Sequence, residues 1–192
     1  MLRRMTRDRY LSDDELAAFM TAVRERRHVH QPRDHALFAL LANTGIRPSE
    51  ALALTRADCH LSGTQPWIKV GRLKKKRGAP VVDELQISPA LASILRVYLT
   101  TVTEGEDARL FQISRRQAER LFHTYADSAG MHGRHWLYSL RHTAATRIYR
   151  ATRDISVVQA ILGHETPDMS CLYAHVAKDL LAEAANALPV IV

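Results

Sequence analysis

Apolar positions recur at helical spacing along most of the chain. In LSDDELAAFMTAVRER, Leu16, Phe19, Met20 and Val23 fall three or four residues apart, the stripe of an amphipathic helix. Ser12 precedes it, with Glu15 three positions on, the signature of a capping box. QPRDHALFALLANTG predicts a second helix, entered through Pro32 and closed just past its end by Gly45. RPSEALAL predicts a further helix entered through Pro48. The texture then changes. WIKVGRLKKKRGAPVVDELQI places β-branched and aromatic residues on both sides of a basic, glycine-containing turn, which predicts a β-hairpin. From Ser88 the helical period returns in SPALASILRVYLT and in SRRQAERLFHTYADSAG, ended by Gly130. Further helices are predicted near 138–151, 155–162, 167–174 and 178–187. The expected fold is α+β and mainly helical, with a small antiparallel sheet near residues 56–84. No repeat, low-complexity tract or linker divides the chain.

Composition narrows the function. At 192 residues the chain suits one domain with a sizeable core. Lys and Arg number 27 against 20 Asp and Glu, a formal net charge of +7. That surplus fits a polyanionic partner such as nucleic acid or an anionic membrane surface. No apolar run is long enough to span a membrane, and the basic start MLRRMTRDRY leads into no signal-peptide core. Cys59 and Cys171 are then expected as reduced thiols in a cytoplasmic protein. The ten histidines lack the paired spacing of a zinc site.

Three stretches carry possible chemistry. In NTGIRPSEALAL, Arg47 lies in a turn between helices, with Glu50 three residues on. An arginine fork fits a phosphate, yet an isolated Arg–Glu pair of this kind is more often a surface salt bridge. In WLYSLRHTAATRIY, Arg141 and His142 fall near a helix N-terminus, where anions are attracted. In ILGHETPDMSCLYAHV, His164 follows Leu-Gly and Tyr173 comes nine residues later. Alone, such a histidine reads as a cap or loop residue, and such a tyrosine as a core residue.

Taken together, TGIRPSEALAL, LYSLRHTAAT and LGHETPDMSCLYAHV resemble, in order and spacing, the boxes of the tyrosine recombinase (phage integrase) family. The family pattern is T-G-x-R-x-x-E, then H-x-L-R-H, then L-G-H, with a nucleophilic tyrosine nine residues after that histidine. Arg141 and His164 are 23 residues apart, as is usual there. The resemblance covers roughly residues 9 to 178. It implies the family's catalytic fold and a DNA strand-transfer reaction through a 3′-phosphotyrosyl intermediate, with neither metal nor ATP. Arg47 and Arg141 take the roles of a phosphate clamp, Tyr173 that of nucleophile, and His164 that of its hydrogen-bonding and proton-transfer partner. Glu50 and His142 are supporting residues.

Two departures stand out. The family's histidine three residues before the second arginine is Tyr138 here, a hydrogen-bond donor but a poor general base. His135, three residues further upstream, is an outside candidate for the base. The family's hairpin lysine, a general acid, is expected eight residues before Pro80, where this chain has Arg72. Arg72 and Lys74 share a strand face, which makes Lys74 the candidate acid. The competing reading makes Arg72, Lys75, Lys76 and Arg77 a solvated basic turn that touches DNA phosphates non-specifically. The resemblance implies double-stranded DNA as partner, a homo-tetramer on DNA and a monomer alone. The expected domain is one catalytic unit over 1–192, either excised or naturally short, without the family's N-terminal clamping domain. Residues 178–192 are expected to exchange between subunits. Alternatives on the same residues are a type IB topoisomerase-like enzyme and a non-catalytic DNA-binding regulator.

Overall fold

A computed structural model of the chain describes residues 9–72, 81–103 and 105–163. Helix α1 (Asp13–Glu25) begins at the predicted box, where Ser12 Oγ accepts from Glu15 N and Glu15 returns a bond to Ser12 N. Helix α2 (Gln31–Thr44) follows. It is apolar almost all round, and such a helix is stable only when enclosed. It packs against α1 and later against α4 (Pro89–Leu99) and α6 (Ser139–Thr152). Phe19 of α1, Phe38 of α2 and Phe122 and Tyr125 of α5 (Arg115–Ser128) form an aromatic cluster at its centre. The buried carboxylate of Asp34 is satisfied there by the Tyr125 hydroxyl at 2.7 Å and by Arg33 at 2.7 Å.

Helix α3 (Pro48–Ala51) is shorter than RPSEALAL predicts. The amides of Ala53 and Leu54 bond three residues back, to Glu50 and Ala51, and this tightening turns the chain out of the helix. It then enters the sheet. Strands β1 (Cys59–His60), β2 (Trp67–Arg72) and β3 (Val81–Gln86) run antiparallel in that order. The predicted hairpin is β2 with β3, in register from Trp67 opposite Gln86 to Arg72 opposite Val81. Ile68, Val70 and Arg72 alternate onto the buried face of β2. The turn between these strands, with Lys74, Lys75, Lys76 and Arg77, lies outside the described residues. So do His164, Tyr173, Cys171, the helices predicted at 167–174 and 178–187, and the segment 178–192.

Helix α7 (Ile155–Leu162) ends at Gly163, and a small cluster of Ala145, Val158 and Leu162 seats it on α6. Among the described residues no helix is long and apolar enough to cross a membrane.

The turn after α2 depends on Gly45, which has φ +64°. A Cβ there would lie 2.6 Å from Leu162 Cδ2 and 3.1 Å from Ala144 Cβ, so the absence of a side chain lets α2, α6 and α7 meet. Gly45→Ala adds a left-handed backbone cost to that collision. We expect it to lower unfolding free energy by about 1–3 kcal/mol. An unchanged denaturant midpoint would show that the three helices do not close on this residue.

Candidate active site

The Gly45–Arg47 turn is held by charge. Arg47 precedes α3, and the buried Glu50 accepts from Arg47 N at 2.8 Å and from Arg47 Nη1 at 2.7 Å. One carboxylate therefore caps the helix and orients the guanidinium. The Arg47 side chain keeps 21% of its exposure, and its Nε and Nη2 make no hydrogen bond among the described residues.

Arg141 reaches the same turn from α6. It is 1% exposed, the largest fully buried side chain among the described residues. Nη1 donates to the Gly45 carbonyl at 2.6 Å and Nη2 to the Leu162 carbonyl at 2.9 Å. Leu162 ends α7, so its carbonyl has no acceptor role within that helix and lies at the negative end of the helix dipole. A guanidinium supplies both the hydrogen bond and the matching charge. Arg141 thus fastens the α2–α3 turn to the end of α7, one residue before Gly163 and two before His164 in the sequence.

Tyr138 lies half-buried at the start of α6. The Arg141 guanidinium carbon is 6.0 Å from its ring centroid, and the His142 ring packs edge-on to it at 5.3 Å. His142 is pushed down to about 4, first by burial and then by Arg141 and Arg9, so it is a neutral imidazole at pH 7. His135 is buried, with Nε2 3.7 Å from Glu15 Oε1, against the start of α1.

Arg72 departs from the expectation that it belongs to a solvated basic turn on DNA. Its side chain is 6% exposed. Nε donates to Asp83 Oδ2 at 2.6 Å, Nη2 to the Ile161 carbonyl at 2.9 Å, and Nη1 lies 3.5 Å from Glu50 Oε2. The reason is strand alternation: Arg72 follows Ile68 and Val70 onto the inner face of β2, where a bare charge needs partners. Its partners were not legible in the sequence, although the shared period with Ile68 and Val70 was.

Arg47, Glu50, Arg72 and Arg141 are therefore brought together, and Tyr138 and His142 flank them. Among the described residues, Glu50 and Asp83 pair with the guanidiniums of Arg47 and Arg72, and Arg141 donates to backbone carbonyls. Among the described residues no three His, Cys, Asp or Glu side chains could hold a metal ion. The Cys59 thiol is pushed up to about 12 by burial, Asp58 and Glu106, so it is not a thiolate nucleophile at neutral pH.

The sequence pattern of the phage integrase family matches residues 9–179. Tyrosine recombinase XerC of Neisseria meningitidis serogroup B is 31% identical over 159 residues, which cover 78% of this chain and 50% of that protein. The chain thus spans about half the length of the curated relatives it matches. The fold resembles the XerH site-specific recombinase in its pre-cleavage complex with difH substrate, with a TM-score of 0.77, 23% identity, and coverage of 97% of this chain and 56% of that one. It also resembles the catalytic domain of bacteriophage HP1 integrase, with a TM-score of 0.65, 23% identity, and coverage of 94% and 95%.

The neutral His142 has a consequence for stability. A histidine held below its ordinary 6.5 stabilises the fold above that pH, and the contribution is lost as pH falls towards 4. A displacement of that size is worth up to roughly 3 kcal/mol. His35, lowered by burial and Arg24, adds to the same window. We expect urea midpoints to fall between pH 6.5 and 4.5, and less steeply in His142→Gln. Equal slopes for the two proteins would show that His142 already carries a proton in the fold.

Proposed function

The chain belongs to the phage integrase family, and from that premise we propose that it cuts and rejoins DNA strands as a site-specific recombinase, through a tyrosine covalently joined to a 3′-phosphate. The observation that carries this reading is the Arg47–Glu50 pair in the α2–α3 turn, which Arg141 ties to Leu162, the last residue of α7 and the first of the Leu-Gly-His box. The names of the relatives and of the similar structures favour recombination over topoisomerase-like relaxation or a regulator without catalysis.

The chemistry follows from these roles. Tyr173 Oη attacks the phosphorus and forms the phosphotyrosyl bond. The bond to the 5′-oxygen breaks, and that oxygen leaves as a hydroxyl after taking a proton. The phenol gives its proton to His164 or to water. Lys74 is the proposed donor to the 5′-oxygen. Negative charge builds on the non-bridging oxygens in the transition state, and preorganised guanidiniums stabilise it without reorganising. Arg47 is suited to this because Glu50 fixes its Nη1 while leaving Nε and Nη2 to the substrate. Tyr138 supplies a hydroxyl donor where the family has imidazole. One phosphodiester is exchanged for another of similar energy, so the step reverses when a 5′-hydroxyl from a second duplex attacks.

In the same reading the chain is the catalytic domain, and double-stranded DNA in the cytoplasm is its substrate. Four copies assemble on two duplexes, with the 178–192 segment docking on a neighbour. Lys75, Lys76 and Arg77 contact backbone phosphates near the cut.

Strand cleavage on a nicked duplex tests the clamp. Arg47→Ala should slow cleavage by roughly two to three orders of magnitude, the scale for loss of one preorganised transition-state donor. Arg141→Ala should be at least as slow. It should also be less stable, because two buried carbonyls lose their donor. Tyr138→Phe should be slower than the unaltered chain and faster than Arg47→Ala. A change of only a few-fold in Arg47→Ala would return that residue to an ordinary salt bridge.

A further inference from the structure

We infer that Arg72 is a positioning residue, a brace that sets the end of α7 against the arginine clamp. This rests on the recombinase reading and extends it to a residue that does not touch the phosphate. Three observations carry it. First, the guanidinium is engaged on three sides by three different elements: Asp83 of β3, Glu50 of α3, and the Ile161 carbonyl of α7. Second, its burial contrasts with that of Arg47, whose side chain is 21% exposed against 6% for Arg72. Third, Gly163 gives it room. A Cβ on Gly163, at φ +62°, would lie 2.9 Å from Arg72 Nε and 3.1 Å from its Cζ. The side chain therefore lies directly against the backbone that leads into His164.

The consequence is a pair of arginines on successive carbonyls. Arg72 holds Ile161 and Arg141 holds Leu162, both at the negative end of α7. Arg141 ties that end to the α2–α3 turn, and Arg72 ties it to the hairpin. Glu50 joins the two systems, with one oxygen on Arg47 Nη1 and the other 3.5 Å from Arg72 Nη1. Any shift of the hairpin relative to α3 thus shifts the end of α7. Lysine cannot replace this brace, because one ammonium on a flexible stem does not span three partners in fixed directions. Arginine, in turn, stays protonated throughout the working pH range and cannot serve as the proton donor. Its contribution must be geometric.

The test is Arg72→Lys, which preserves the charge. DNA affinity should be unchanged, while the rate of covalent adduct formation at saturating DNA should fall about tenfold to a hundredfold, the scale of a small misplacement of reacting groups. The factor should be the same at pH 6 and pH 9. Amide hydrogen exchange at residues 159–163 should speed up in the DNA-free variant. Asp83→Asn, which leaves Arg72 in place and loosens one partner, should show the same pattern to a smaller degree. Weaker DNA binding in step with the rate would make Arg72 a phosphate contact instead. A loss that varies with pH would make it part of the proton transfer. An unaltered rate together with unaltered exchange would reduce it to a surplus ion pair. Should the unaltered chain form no adduct at all, the recombinase reading fails, and the exchange difference still decides whether Arg72 holds α7.

Discussion

The site depends on one buried guanidinium. Moving a charge as large as that of Arg141 out of water costs several kcal/mol. Two backbone carbonyls offset part of that cost. Gly45 closes α2 and Leu162 closes α7, and each carbonyl belongs to a helix end that lacks an internal donor. One side chain satisfies both. The interaction also explains why a glycine stands at position 45, since a side chain there would hold Leu162 away.

The carboxylates then sort the other arginines into different tasks. Glu50 is buried and shared: Oε1 accepts from the Arg47 guanidinium, and Oε2 accepts from the Arg47 amide and faces Arg72. Asp83 adds a second partner to Arg72 alone. Arg72 is thereby enclosed and Arg47 is left with donors to spare. The same residue type supplies a brace in one position and a substrate contact in the other, and the difference lies in the number and direction of the partners. His142, kept neutral by burial and Arg141, adds no charge to this balance at pH 7.

The helices were legible because capping and period agree locally: Ser12 with Glu15, Pro32 with Gly45, and the apolar stripes between them. The β2–β3 hairpin was legible for the same reason. The three boxes imply a common site for Arg47, Glu50 and Arg141; Arg47 pairs with Glu50, and Arg141 reaches the same turn through the Gly45 carbonyl. What the sequence could not give was the partner set. Main-chain carbonyls have no letter in a sequence, so the grip of Arg141 on Gly45 and Leu162 had no signal. Asp83 becomes a partner of Arg72 through a diagonal across the β2–β3 register, which spacing alone does not reveal. Arg72 was therefore read from its basic neighbours, although its strand period pointed inward.

The central claim is that this arginine cluster holds a scissile phosphate for attack by Tyr173. The most direct measurement is peptide mapping of a trapped adduct. A nicked duplex that releases its 5′-hydroxyl fragment after cleavage would leave the DNA joined to the protein. Nuclease digestion followed by mass spectrometry then locates the remaining nucleotide. The account predicts a nucleotide joined by a phosphate to Tyr173 and to no other residue. A nucleotide on a different side chain, or no covalent product from a chain shown to bind that DNA, would contradict it.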